Sequence, residues 1–296
     1  MAKHIQVIIN PAAGQPEPIL PVLNTVFQEA GVEWEVAVTQ ELGDGTRLAE
    51  EAVRAGADVV AAYGGDGTVM EVVNGLIGSD VTLGILPGGT GNVLSVELEI
   101  PQTLEEAAKL ICAAEPAIRR LDLGKCGERY FLLRLSTGFS ARQIGMASRE
   151  MRDQYGRLAY LIAALRALPA AKPIHFRLTL DDEQESFEGM TCIVANAGSV
   201  GISGISLASK IRIDDGMLDL LAVQDLNLEA LSSLAASIAD LPSEATDLNH
   251  WQARRITIDC DPAQPVVADG EDVGTTPVTV EVVPQAIPVI VPVREA

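Results

Sequence analysis

Asp58-Val59-Val60-Ala61-Ala62-Tyr63-Gly64-Gly65-Asp66-Gly67-Thr68-Val69-Met70-Glu71 is the stretch on which the fold turns. An apolar run passes through three glycines and one carboxylate into a helix-like segment, the order of a strand, a tight turn and a helix. Glycines let backbone N–H groups approach an anion, and the following helix adds its positive end at the same place. Asp66 offers an oxygen ligand of the kind that holds Mg²⁺ beside nucleotide phosphates. The same residues have a plainer reading, because Thr68 to Glu71 also spells a helix capping box.

Two further turns of this kind close neighbouring apolar runs. Ile5–Ile9 leads into Asn10-Pro11-Ala12-Ala13-Gly14, and Val81–Leu86 leads into Pro87-Gly88-Gly89-Thr90-Gly91-Asn92. In a parallel sheet the carboxyl ends of such strands lie together, where open α/β sheets bind ligands. Up to about Ala117 the chain alternates strands with helices over Leu20–Ala30, Thr46–Ala55 and Thr103–Ala114, which predicts a doubly wound α/β sheet. After Leu121 the pattern changes to short alternating runs: Tyr130–Leu135, Phe176–Leu180, Met190–Val194, Leu218–Val223, Ile256–Ile258 and Val278–Val282. These predict a β-sandwich-like domain interrupted by helices near 143–168 and 228–240. The expected division is an α/β nucleotide-binding domain over 1–121 and a β-rich substrate domain over 122–287, with residues 288–296 returning to the first as an added strand.

Composition narrows the function classes. With 296 residues and 48% hydrophobic residues the chain can fill two cores. A net charge of −20 excludes nucleic-acid backbones as partners. The apolar stretch after His4 is too short for a signal peptide, and the longest uncharged window, Gly189–Ser209, is broken by glycines, so a cytoplasmic protein is expected. Cys112, Cys126, Cys192 and Cys260 are too dispersed for a zinc knuckle or redox pair. Neither a nucleophile elbow, nor a His-Glu-x-x-His helix, nor a P-loop is present. One segment runs against the acidic average: residues 140–172 carry +4 against −24 for the rest, either a solvated helix face or a peripheral contact with a membrane at its inner face.

The three loops, with Leu121-Asp122-Leu123-Gly124, Ser136-Thr137-Gly138-Phe139, Gly156-Arg157-Leu158-Ala159-Tyr160, Val194-Ala195-Asn196, Asp214-Asp215-Gly216-Met217-Leu218-Asp219 and Asp269-Gly270-Glu271, resemble the bacterial lipid kinases of the diacylglycerol kinase catalytic-domain superfamily. Sphingosine and ceramide kinases are relatives, and NAD kinases and 6-phosphofructokinases are more distant kin. The resemblance implies an active site in the cleft between two domains, and an ATP- and Mg²⁺-dependent transfer to a hydroxyl of a diacylglycerol-like lipid. It places ATP against Asn10, Pro11, Ala12, Ala13, Gly14, Thr39, Gly64, Gly65, Asp66, Gly67, Thr68, Val69, Met70 and Thr90. Gly91 and Asn92 belong to the same loop as Thr90, and Glu71 and Asn74 either orient the Gly64–Thr68 loop or serve as structural caps. It makes the Asp215 side chain and the Met217 and Arg212 carbonyls ligands of a structural Mg²⁺, where spacing alone reads a tight turn. It puts the general base in Asp269-Gly270-Glu271, with Glu271 as the first choice, Asp269 holding the loop or sharing that role, and Asp66 serving the nucleotide's metal.

Two departures from the family pattern stand out: Val93 replaces a carboxylate after Gly-Thr-Gly-Asn, and Gln15 stands where lysine is frequent. Other readings are a sphingoid or other amphiphile kinase, an NAD kinase, and a non-catalytic lipid- or nucleotide-binding regulator. NAD kinases normally carry an Asn-Glu pair, and the chain has no such dipeptide. A homodimer is left open.

Overall fold

A computed structural model of the protein describes residues 3–13, 17–138, 173–199, 207, 211–224 and 249–293. Gly14, the basic 140–172 segment and the helices expected near 143–168 and 228–240 lie outside these residues. Four parallel strands, β1 (His4–Ile9), β2 (Glu33–Val38), β3 (Val59–Gly64) and β4 (Thr82–Pro87), lie in the order β2-β1-β3-β4. Helices α1 (Ile19–Ala30), α2 (Asp44–Ala55), α3 (Asp66–Leu76), α4 (Val93–Glu97) and α5 (Leu104–Ile111) connect and follow them. β3 is buried at every position, the reason its sequence is a continuous apolar run rather than an alternating one. With each strand feeding a helix, the turns after β1, β3 and β4 gather at one edge.

Next come β5 (Ala117–Cys126), β6 (Arg129–Phe131), β7 (Arg134–Gly138), β8 (Ile174–Leu180), β9 (Glu183–Gly189), β10 (Thr191–Ala195), β11 (Leu218–Val223), β12 (Asn249–Ala253), β13 (Arg255–Asp261), β14 (Pro265–Ala268), β15 (Glu271–Thr275) and β16 (Val278–Val291). β12-β11-β10-β7-β14-β15 form an antiparallel six-stranded sheet. The remaining strands continue the first sheet, because β16 joins β4 at Val289–Leu83 and then runs on against β5 and β13. A second core, with Phe131, Phe176, Val194, Leu220, Ile258 and Val280 at its centre, fills the space between the two sheets. The architecture is thus an α/β domain and a β-sandwich-like domain sharing one sheet.

Two local expectations are corrected. Tyr130–Leu135 is two strands rather than one, because the Leu132-Leu133 backbone leaves the ladder to give its N–H groups to Asp269. The Thr68–Glu71 capping box does not form. α3 begins at Asp66 after Gly65, and Glu71 instead takes the Gly45 N–H of α2 at 2.9 Å.

Candidate active site

The loops after β1, β3 and β4 meet backbone to backbone. Gly88 N–H donates to the Gly64 carbonyl at 2.9 Å, and Asn10 N–H to the Tyr63 carbonyl at 3.0 Å. A Cβ on Gly89 would stand 2.6 Å from Gly65 Cα, so glycine is required where these loops cross. The Asn10 side-chain amide donates to the Thr68 hydroxyl at 2.9 Å, and its oxygen takes the Ala12 N–H at 3.0 Å, folding the Pro11–Ala13 turn toward α3. Among the described residues no side chain caps the first turn of α3, so its N-terminal N–H groups are left for an anion at the loop mouth.

The other expected nucleotide residues divide by burial. Gly67, Thr90 and Gly91 are exposed, and Thr39 is half-buried at the end of β2, its N–H on the Ile9 carbonyl at 2.9 Å. Met70 is partly buried against the core, and Asn74 is exposed one turn along α3. Val69 packs its side chain in the core and gives its N–H to Gly65. Beneath Gly65 and Asp66 the space bounded by Val69, Ile85, Leu94 and Ser95 is too small for a water molecule, so the loops' outer surface is what they offer a ligand.

Asp66 joins two of the loops. Its carboxylate oxygens accept the N–H groups of Val93 at 3.1 Å and Leu94 at 3.0 Å, at the start of α4. Each oxygen keeps a further lone pair, which suits a hard cation or its water. Asn92, in the left-handed region at φ 48°, takes the Gly89 N–H on its side-chain oxygen at 2.9 Å.

The Asp269-Gly270-Glu271 turn joins β14 to β15. Asp269 is half-buried and binds three consecutive amides, those of Leu132 at 2.7 Å, Leu133 at 3.1 Å and Arg134 at 2.9 Å. Burial outweighs these donors and pushes its carboxyl up to about 6. Glu271 is exposed, with Arg129 Nη1 at 3.3 Å from its Oε2. Arg129 also borders a groove of about 510 Å³ between the turn of the β5–β6 hairpin and β15, floored by Cys126, Val273 and Val278.

The third constellation is the 212–217 turn. Asp215 is exposed and makes a local turn, taking the Met217 N–H at 3.0 Å. The Arg212 side chain goes to Asp214, 3.5 Å away, and Arg119 donates to Asp214 at 2.7 Å, holding that carboxyl below its usual range. Among the described residues no group of three His, Cys, Asp or Glu side chains gathers to hold a metal ion. A site here would rest on one carboxylate and backbone carbonyls, a donor set that Mg²⁺ and Ca²⁺ accept.

Sequence reasoning assigned no role to Asp122 or Asn196, and both prove central. Asp122, wholly buried, takes the Gly216 N–H at 2.6 Å and the Gln285 N–H at 2.7 Å, pinning that turn and the β16 irregularity to β5. Asn196, also wholly buried, donates to the Asp122 carbonyl at 2.9 Å and the Leu132 carbonyl at 2.7 Å. The signal was present, since a polar residue inside an apolar strand run must find partners or cost several kcal/mol, roughly 1–3 per unmet group.

An α/β sheet with a glycine-rich mouth, joined to a sandwich that presents an exposed carboxylate, is the class of a two-domain phosphotransferase without a P-loop. Comparisons with known proteins agree. The family model described as the diacylglycerol kinase catalytic domain matches residues 4–126, and that of the YegS C-terminal NAD kinase β-sandwich-like domain matches 134–291. A probable lipid kinase of the YegS-like type from Chromohalobacter salexigens is 32% identical over 89% of this chain and 85% of its own length. The diacylglycerol kinase of Bacillus subtilis is 30% identical over 93% and 92%. A longer Synechocystis protein is 29% identical, and this chain spans 56% of its length. A crystal structure of a diacylglycerol kinase from Bacillus anthracis superposes with a TM-score of 0.80 at 28% identity, covering 98% of this chain and 97% of that one. The chain belongs to the diacylglycerol kinase catalytic-domain family and is a lipid kinase by class. Among the described residues no helix is long and apolar enough to cross a membrane.

Proposed function

We propose that the protein transfers the γ-phosphoryl group of Mg·ATP to a hydroxyl of a diacylglycerol-like lipid. The observation that carries this reading is the crossing of Gly65 and Gly89 beside the start of α3, whose first-turn N–H groups have no side-chain cap among the described residues. Phosphates fit such a place through N–H donors and the helix dipole. Asn10, Ala12, Gly65, Gly67, Thr68 and Thr90 surround the phosphates in this reading, and Thr39 lies at the nucleotide's outer end. Asp66 holds the nucleotide's Mg²⁺, directly or through water, while keeping α4 in place. When bound, that ion neutralises charge building on the phosphate oxygens. A second, structural Mg²⁺ sits on Asp215 and the Met217 and Arg212 carbonyls.

Glu271 is the general base. Asp269 spends its oxygens on three amides, whereas among the described residues Glu271 shares only a long contact with Arg129 and can turn to an acceptor hydroxyl. In a loose transition state the hydroxyl's proton leaves late, so an ordinary carboxylate is basic enough. Asp269 then sets the height of Glu271 by fixing its turn to Leu132–Arg134. The acidic surface is compatible with a lipid acceptor if the basic 140–172 segment meets the membrane.

The test is transfer of label from radioactive ATP to a panel of diacylglycerol, other glycerolipid hydroxyls, sphingoid bases and NAD, with products separated by polarity. Label in phosphatidic acid supports the reading. Label in NADP alone, or in no product while ATP binds, refutes it.

A further inference from the structure

A chain of hydrogen bonds leaves the nucleotide loops and reaches the Glu271 turn through a helix of five residues. α4 is too short to hold itself together, because nucleating a helix costs more than one turn returns. Its position is therefore fixed by its two ends, by Leu94, which is buried in the first core, and by Ser95, whose hydroxyl takes the Gln102 amide at 3.0 Å. At the start, Asp66 grips the Val93 and Leu94 N–H groups and Asn92 grips Gly89. At the end, Glu97 Oε2 takes the N–H of Ser199 at 2.6 Å, in the segment that follows β10. Ser199 is 7% exposed, so its amide has little access to water if Glu97 is removed. Three residues back, Asn196 binds the Asp122 and Leu132 carbonyls, and the Asn196 and Ala197 N–H groups bind the Leu133 carbonyl at 2.9 and 3.1 Å. The amides of Leu132 and Leu133 are those held by Asp269, two residues from Glu271.

We infer that Glu97 is a positioning residue that couples the nucleotide loops to the acceptor side of the site, through α4 and the Ala195–Ser199 segment. The inference rests on the kinase reading above and adds to it a named link between the two halves of the reaction. A ligand that draws Asp66 or the Gly89 loop toward itself moves the start of α4, and the helix, about 7 Å long and held at both ends, passes that movement to Ser199. Among the described residues Glu97 is the side chain of α4 with a hydrogen bond to the second domain, a directed contact beside the apolar packing of Leu94. Coupling between two sites is usually worth about 5- to 150-fold in affinity.

The test measures amide hydrogen exchange and coupled binding in the full chain, in wild type, Glu97→Ala and Glu97→Gln. In wild type, Mg·ATP should slow exchange both over Gly64–Thr68 and at Asn196–Ser199, and should tighten diacylglycerol binding in mixed micelles at least 5-fold. In Glu97→Ala, affinity for Mg·ATP alone should stay within about two-fold, while the Asn196–Ser199 response and the tightening fall toward none. Glu97→Gln keeps an acceptor oxygen in place and should restore most of both. A variant that merely loosened the fold would raise exchange with and without nucleotide alike and lower affinity for both ligands, which would overturn the inference. Protection by ATP at Gly64–Thr68 with none at Asn196–Ser199 in wild type would overturn the coupling and leave the kinase reading standing. ATP-driven protection at Asn196–Ser199 with no lipid product would do the reverse.

Discussion

Gly89→Ala is the sharpest test of the loop crossing. The added methyl would stand 2.6 Å from Gly65 Cα, 3.0 Å from the Asn92 side-chain oxygen and 3.1 Å from Gly65 N. Carbon atoms at rest sit about 3.5–4.0 Å apart, so the two loops must separate by roughly 1 Å. Both neighbours at Gly65 are backbone, and no rotamer change relieves them. Forcing a methyl into such a contact costs about 1–3 kcal/mol. If that strain is relaxed by parting the loops, the same energy is lost from phosphate binding, which is about 5- to 150-fold in affinity for Mg·ATP. Gly67→Ala is the matched control for stability, because its Cβ meets no protein atom within 4 Å and alanine favours a helix. Nucleotide affinity by titration calorimetry and Tm by scanning calorimetry read the two variants. Gly89→Ala should weaken nucleotide binding or lower Tm by the stated amount, and Gly67→Ala should change Tm little or raise it. If Gly89→Ala binds nucleotide and melts like the wild type, the loops do not cross in the way that makes the phosphate site.

Glu271→Gln should lower kcat by about 10²–10⁴-fold with Mg·ATP affinity intact, checked by steady-state kinetics beside nucleotide titration. A fully active Glu271→Gln with an inactive Asp66→Asn that still binds ATP would move the base to another carboxylate. Asp269 gives a pH signature. Its carboxyl is raised from 3.8 to about 6 by burial, so the folded state holds the proton more tightly than the unfolded one. Its contribution is therefore complete below about pH 4, and stability should fall as pH rises toward 6 and level off above. Asp269→Asn removes that slope and leaves amides of Leu132–Arg134 unpaired, so its Tm should be lower overall; equal pH slopes in chemical denaturation would count against the assignment. Mg²⁺ at millimolar concentration should raise the Tm of wild type more than that of Asp215→Ala, since binding to the native state alone stabilises it.

Much of this arrangement was legible in the residues. The β1, β3 and β4 turns were readable because each ends an apolar run with glycine or Asn-Pro, and glycine there answers a local steric demand that sequence displays directly. Strand β9 was not readable. Its sequence, Glu183-Gln184-Glu185-Ser186-Phe187-Glu188-Gly189, has no apolar alternation, since it is the edge of its sheet and its exposed carboxylates discourage pairing with another chain. Helix α4 was missed for a different reason: five residues carry too little periodicity, and its cap is a carboxylate 27 residues earlier. The Glu71 capping box misled because a local pattern lost to a tertiary partner, the start of α2. The roles of Asp122 and Asn196 are not legible in the sequence, because their partners are amides and carbonyls far along the chain, which no spacing rule reveals.

The separation into two domains, natural from the change of sequence pattern near Leu121, hides how the site is kept in register. β16 belongs to both parts: Val278–Val280 pairs with β13 beside the second core, and Ile287–Val291 runs against β5, joining β4 at Val289 beside the first. Its one irregularity, between Val283 and Ile287, includes Gln285 in the left-handed region, and it is there that Asp122 takes the Gln285 N–H. Asp122 also holds Gly216, so one buried carboxylate ties the strand shared by both domains to the candidate metal turn. A flexible linker would let the two halves sample many separations and would leave their alignment to the substrates. A shared strand pinned at its bend restricts that freedom before any ligand arrives, so less binding energy is needed to bring an acceptor hydroxyl and a phosphate into line. The same economy explains why carboxylates here are spent on backbone amides. Asp66, Asp122 and Asp269 each fix a loop, and in the proposed mechanism Glu271, with its long contact to an exposed arginine, is the carboxylate that takes the acceptor's proton.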